Sequence, residues 1–382
     1  MHRPVTETRP QRVSDSIPRM PKVFVPVVGQ DDNLGDSVLR RGLLRALRNS
    51  GAEMHVYVGT NSSDYCSALG LHPSDVLYSE WDKWFRALRQ AAWRERHTSV
   101  VLNAGESRVQ KNHSYIGLRY LLAIALVRLR RGAAIQTGVG LRLPIATGPQ
   151  LARFALRLAS LVTWRDPESM AAMRVGTVAP DWGFYAQEVQ PSVPGEARPY
   201  LAISLRGDRP APSDDWIAAV HGLAEQEGLI PLLVVQVKRD ADRAEELRER
   251  LGPAAQVDLW ATGTHEDRER EVRDIYRHSR AVVSDRLHVL ILAMTEGAAP
   301  IGFTPGAVEK VQRTLRPVGY DTSCFSVVGA DPADIVPRLR ALIAPVEKVL
   351  SDAQSAHDRL EKLGNEAGAL ITAHPGSPST RD

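Results

Sequence analysis

Residues Ser284-Asp285-Arg286-Leu287-His288 bring a carboxylate, a guanidinium and an imidazole together directly after an apolar run fit for a buried strand. From Arg286 onward the apolar residues recur with helical periodicity, and Gly297 before Pro300 closes that segment. A cation and an imidazole therefore stand at a strand-to-helix junction. In open α/β sheets ligands bind at the carboxyl ends of strands, where helix N-terminal N–H groups already favour anions. The junction reads as an anion site with a proton-transfer group attached. In the plainer alternative Asp285 caps the helix and its neighbours are incidental.

The elements that must position such a site alternate along the chain. Lys22 to Val28 is a β-branched run ending at Gly29, and a helix follows with Val38, Leu39, Leu43, Leu44 and Leu47 on one side. Met54–Val58, Ser99–Leu102, Ala133–Thr137 and Leu161–Trp164 read as strands, with helices over Trp81–Arg96, Tyr115–Arg131 and Pro149–Ala159. Such alternation predicts a parallel sheet covered on both faces. The stretch 191–199, with Pro191, Pro194, Gly195 and Pro199, has no periodicity and reads as a linker. A second unit follows, with strands at Tyr200–Leu205, Leu229–Val237, Gln256–Leu259, Arg280–Val283, Pro300–Phe303 and Cys324–Val327. The expected division is a disordered tail 1–20, a first Rossmann-like domain 21–190, the linker, a second domain 200–345, a helix 346–373 returning to the first domain, and a tail 374–382. The last helix is expected to start at Pro332 and break near Pro345.

Composition narrows the function. With 48 basic and 45 acidic residues the net charge is only +3, which gives no reason to expect nucleic acid as a partner. Cys66 and Cys324 are far apart without zinc-type spacing, and no paired carboxylates of the DxD kind stand out, so no metal is expected. The first twenty residues lack an apolar signal core, which points to the cytoplasm. Tyr115 to Leu129 is the most hydrophobic segment, yet it is interrupted by Arg119 and Arg128 and falls short of the roughly 20 residues of a membrane span. Its basic end leaves peripheral contact with the inner face of a membrane open, beside the ordinary dipole role of Arg at a helix end. Trp81, Trp84 and Trp93 on one helix read as core and surface anchors rather than a sugar platform.

Taken in order, Asn33-Leu34-Gly35-Asp36, Thr163-Trp164-Arg165-Asp166 with Ser169, Asp181 and Phe184, Ile203-Ser204-Leu205-Arg206, and the Ser284–His288 junction resemble the polysaccharide pyruvyl transferase family from Val23 to about Tyr320. The resemblance implies two Rossmann-like doubly wound domains in a glycosyltransferase-B-like arrangement. It also implies transfer of the enolpyruvyl group of phosphoenolpyruvate onto two hydroxyls of a sugar in a cell-surface or exopolysaccharide precursor. The product would be a cyclic pyruvate ketal, with phosphate released and phosphoenolpyruvate the only co-substrate, without a cofactor.

That chemistry assigns roles. A carboxylate and a phosphate call for convergent Arg groups, so Arg206 and Arg286 are expected on the donor, with Leu287, His288 and Lys310 beside them. His288 would be the general acid, toward carbon or toward the departing phosphate, or only a hydrogen-bond donor. On the acceptor side the expected residues are Asn33, Asp36, Asn103 and Glu106. Asp36 would orient a sugar hydroxyl or act as catalytic base, or else serve as helix cap and dipole partner, and Glu106 is the second candidate base. Arg165, Asp166 and Ser169 are expected to be structural.

Two departures from the family pattern stand out. Val289 occupies a place usually held by glycine, where it would crowd a phosphate, and Asn103-Ala104 replaces a run of glycines. Rival readings are a nucleotide-sugar glycosyltransferase of similar fold and a non-catalytic carbohydrate-binding relative. The sugar, its carrier (lipid or finished polymer) and the oligomeric state are not legible.

Overall fold

A computed structural model describes residues 20–94, 97–107, 118–143, 145, 149–193 and 195–373. The tails 1–19 and 374–382, and the expected helix start at Tyr115, lie outside the described residues.

Two parallel sheets organise the chain. The first holds β1 (Lys22–Pro26), β2 (Glu53–Tyr57), β3 (Val76–Tyr78), β4 (Thr98–Val101), β5 (Gly105–Ser107), β6 (Ala134–Leu141), β7 (Leu161–Trp164) and β8 (Thr177–Val178). Their order is β3-β2-β1-β4-β6-β7-β8, with β5 paired to β6. The second holds β9 (Tyr200–Ser204), β10 (Ile230–Val234), β11 (Gln256–Asp258), β12 (Ser279–Ser284), β13 (Ala299–Thr304) and β14 (Cys324–Ser326), in the order β11-β10-β9-β12-β13-β14. In each sheet the chain moves outward from its first strand, returns, and continues on the other side. The reversal lies between β1 and β4 in one sheet and between β9 and β12 in the other. At such a switch point the loops leave in opposite directions and open a crevice.

The central strands are buried because helices cover both faces, and β1, β4, β9 and β10 bury nearly every residue. Strand β6 continues to Leu141, past the expected stop at Thr137. Gly138 takes φ 68° where the register with β7 shifts, and a Cβ there would sit 2.4 Å from the Trp182 ring. Just past the expected strand end, Gly138 forms a bulge within the strand rather than its end. The short strands β3, β5 and β8 and the helix Pro167–Met173 were not expected from periodicity, being too brief to show one.

The final helical stretch is two helices, Pro332–Ala341 and Val346–Thr372. The second, about 40 Å long at 1.5 Å per residue, lies along the Leu34–Arg48 helix and the turn Trp182–Tyr185. Its Gly364 admits Ala46 so closely that a Cβ would stand 3.0 Å from the alanine methyl. A single apolar cluster runs from Leu43 and Leu47 through Phe184 and Ile291 to Leu360 and joins the two sheets.

Trp84 is wholly buried, Trp81 packs among Tyr57, Trp84 and Tyr120, and Trp93 is exposed. Both cysteines are free. Among the described residues no helix is long and apolar enough to cross a membrane.

Candidate active site

The two switch points face each other across a cleft of about 600 Å³. All nine residues singled out in the sequence line it: Asn33, Asp36, Asn103, Glu106, Arg206, Arg286, Leu287, His288 and Lys310. Seven cations (Arg40, Arg142, Arg165, Arg206, Arg239, Arg286, Lys310) meet four carboxylates (Asp36, Glu106, Asp208, Asp285) in its wall. The excess is positive, and it surrounds a helix N-terminus.

That helix, Leu287–Thr295, begins at Arg286, which supplies no side-chain cap. The first-turn N–H groups of an α-helix have no intrahelical acceptor, so an anion in the cleft can take that place. Asp285 does not cap the helix. Its carboxylate accepts from the Arg206 backbone N–H at 3.0 Å and ties the end of β9 to the end of β12. Ser284 completes the junction, donating to the Ser204 carbonyl at 2.5 Å and accepting from the Arg286 N–H at 2.9 Å. Burial lifts the Asp285 carboxyl above its ordinary range, against the pull of Arg286.

Arg206 and Arg286 are each held by a carboxylate. Arg206 grips Asp208 through both ends of its fork, at 2.8 and 2.6 Å. Arg286 pairs with buried Asp240, whose other oxygen accepts from the Gly207 N–H at 2.8 Å. Lys310 crosses the cleft to Glu106 at 3.2 Å. The cleft walls strip part of its hydration even though 42% of the side chain stays open, and with Arg165 they bring the ammonium down to about 8, against Glu106.

His288 belongs to the second sheet's helix but sits among residues of the first. Its ring lies on Gly35, where a Cβ would be 2.5 Å from both its Cβ and Nδ1. Its Nε2 faces the buried Asp181 carboxylate at 3.6 Å, an ion-pair distance longer than a hydrogen bond. Asp181 is in turn held by Arg165 at 3.1 Å and by the Gly183 N–H at 2.9 Å. Burial alone would raise the Asp181 carboxyl, but His288 and Arg165 outweigh it and hold the group well below the ordinary range. Arg165, expected to be structural, is therefore also a wall of the cleft, while Asp166 caps the helix Pro167–Met173 through the Ser169 N–H at 2.7 Å.

On the opposite wall the cap of the Leu34–Arg48 helix is Asn33, which accepts from the Gly35 N–H at 3.1 Å. Asp36 is not the cap. It accepts from the Gln30 N–H at 2.8 Å and lies 3.5 Å from Arg40. Burial pushes its carboxyl up, yet Arg40 and the Gln30 N–H, with His288 and Arg165, bring it below the ordinary range. Asn103 bridges the β1–β4 crevice, accepting from Arg40 at 3.3 Å and donating to the Val28 carbonyl at 3.1 Å. Glu106 has Arg142 at 3.6 Å as well as Lys310. Val289 is fully buried in the second sheet's core and crowds nothing in the cleft, because one helical position turns it about 100° from His288 toward the sheet.

Over residues 33–306 the sequence matches the polysaccharide pyruvyl transferase family. The chain belongs to that family. No curated protein sequence matches it significantly. The match to the pyruvyl transferases spans both switch points, from Asn33 to Gly306, and includes every cleft residue from sequence reasoning except Lys310.

Solved structures share the architecture across nearly their full length. Staphylococcus aureus MnaA with UDP is 14% identical, with TM-score 0.57 over 94% of this chain and 99% of that one. UDP-GlcNAc 2-epimerase from Neisseria meningitidis bound to UDP-GlcNAc is 9% identical, with TM-score 0.55 over 90% and 98%. Anabaena HepE with UDP and glucose is 14% identical, with TM-score 0.54 over 91% and 98%. At these identities the likeness is one of fold: two Rossmann-like domains in a glycosyltransferase-B-like arrangement. The pyruvyl transferase family places a role in polysaccharide modification on that frame.

Proposed function

We propose that the protein transfers the enolpyruvyl group of phosphoenolpyruvate onto two hydroxyls of one sugar of a polysaccharide precursor. The observation that carries this reading is the convergence of Arg206, Arg286 and Lys310 on an uncapped helix N-terminus with His288 in its first turn. Phosphoenolpyruvate presents a carboxylate and a phosphate, which two arginines and an ammonium match in charge and geometry.

In the first step a sugar oxygen bonds to C2 of the enol, its proton leaves to a base, and the C2–C3 π electrons take a proton at C3 to give a methyl group. In the second, the other hydroxyl bonds to C2 as the C–O bond to phosphate breaks, and its proton ends on phosphate. His288 is the proton carrier, and buried Asp181 orients its ring and balances its charge. Asp36 and Glu106 face the sugar; held below the ordinary carboxylate range, they suit hydroxyl binding better than proton abstraction.

Calorimetric titration with phosphoenolpyruvate, against UDP-glucose and UDP-galactose as controls, tests the donor. Saturable phosphoenolpyruvate binding, weakened about 100-fold in Arg286→Ala, is the expected result, since a lost charge-assisted pair costs about 1.5–3 kcal/mol. Circular dichroism checks that the variant remains folded with Asp240 unpaired. Binding of a UDP-sugar alone would replace this reading with glycosyl transfer.

A further inference from the structure

Between Glu106 and Asp166 the chain carries no acidic residue and ten basic ones, in a protein whose net charge is +3. Two helices in this stretch, Leu118–Leu129 and Gln150–Leu158, pack side by side on the outside of the first sheet. Each carries an outward apolar stripe in addition to its buried one. Leu122 and Leu129, two turns apart on the first, are 49% and 79% exposed, with half-buried Leu126 between them packing against the core. Leu151, Phe154 and Leu158 recur at helical spacing on the second, with Phe154 56% exposed. Apart from Arg119, Arg128 and the Tyr120 hydroxyl the Leu118–Leu129 helix is wholly apolar, and an apolar stripe on its water-facing side suits a lipid environment.

The rim of the patch is arginine. Arg131 and Arg157 are exposed and have no acidic partner among the described residues. Arg130 lies 5.1 Å over the Trp93 ring, itself 66% exposed, so an indole and a guanidinium stand together at the margin. Apolar side chains ringed by Arg and Trp match the boundary of a bilayer, where indoles sit at headgroup depth and arginines meet lipid phosphate. A second copy of this chain is a poor occupant, since a twofold contact would bring the acid-free faces together. The Leu118–Leu129 helix spans about 18 Å, too short to cross the roughly 30 Å hydrocarbon layer.

We infer that this face docks the protein onto an anionic phospholipid surface, lying on the membrane without spanning it. The two helices follow strands whose ends carry Glu106 and Arg142 in the cleft wall, so docking would set the acceptor side of the cleft near the bilayer. That orientation rests on the reading of the cleft given above; the docking itself does not.

The test is cosedimentation of the full chain with vesicles of phosphatidylcholine alone or mixed equally with phosphatidylglycerol. The expected result is binding to the mixed vesicles only, weakened by high salt. The double variant Leu129→Ser/Phe154→Ser, and separately Arg131→Gln/Arg157→Gln, should each bind at least about tenfold more weakly, with phosphoenolpyruvate titrations and circular dichroism unchanged. The inference is overturned if the protein stays in the supernatant with every vesicle, if the apolar variant binds as well as the parent, or if sedimentation equilibrium shows a dimer that Phe154→Ser dissociates. Since no outcome depends on turnover, failure here and failure of pyruvyl transfer are distinguishable.

Discussion

The two walls of the cleft are built on the same strand order, yet they hold their charges differently. On the second-sheet wall Arg206 and Arg286 are each paired with a carboxylate of their own domain, Asp208 and Asp240, while Arg239 reaches across to Asp32 of the first domain at 2.7 Å. On the first-sheet wall the corresponding work is done on a residue from the other side: Gly35 supports the His288 ring, and Asp181, held by Arg165, stands behind it. A common topology fixes where a site can form, and the residues at the strand ends decide whether it binds an anion or moves a proton. Donor affinity should therefore depend mainly on one domain, and turnover on both.

The strongest way to break this division is His288→Ala. Turnover, followed as phosphate release from phosphoenolpyruvate and acceptor, is expected to fall about 1000-fold, within the range for loss of a general acid–base group. Donor affinity should change far less. Equal losses in both would make His288 a binding group alone.

Gly35→Ala sharpens the comparison from the opposite wall. The added methyl would meet the imidazole at 2.5 Å, so the ring must move. Displacement of about an ångström can cost about 100-fold in rate, and most of that loss should appear in kcat. If donor affinity drops instead, the first domain contributes to the donor site directly.

The smallest expected effect concerns pH. Lys310 is cationic below about 8 and loses its charge as pH rises through that value. Phosphoenolpyruvate affinity should be complete below about 8 and fall roughly fivefold above it, the scale of a partly exposed charge pair. The donor phosphate is already fully ionised there, with a second pKa of about 6. Lys310→Arg should remove the fall, and titrations at alkaline pH in two buffers of different ionisation enthalpy should register proton uptake in the parent only.

Much of this cleft was legible because strand-end residues announce themselves: Asn33, Asp36, Asn103, Glu106, Arg206 and Arg286 each follow an apolar run. The pairings were not, although Asp181 was among the residues that carry the family resemblance. Asp181 lies more than a hundred positions before His288, and only the packing of the two domains brings them together. Asp240 follows β10 without any periodic cue. Arg40 did leave a trace, as a charge on the buried side of the Leu34–Arg48 helix, where burial is costly unless paired. Arg142 was obscured because the strand was expected to stop at Thr137, while β6 runs on to Leu141. Gly138 and Gly140 are there for close approach: a Cβ at Gly140 would stand 2.5 Å from the Arg165 side chain.

The ion pair between Lys310 and Glu106 joins the second-sheet wall to the first-sheet wall, and this gives it a thermodynamic meaning. On the proposed function, an incoming anion that takes the ammonium would leave Glu106 with only Arg142 at 3.6 Å, so the carboxylate presented to the sugar would differ with the donor bound. The two ligands would thereby be coupled through a charge that neither carries, and such coupling is reciprocal. On the proposed function, whatever factor phosphoenolpyruvate added to the affinity of the sugar, the sugar would return to phosphoenolpyruvate.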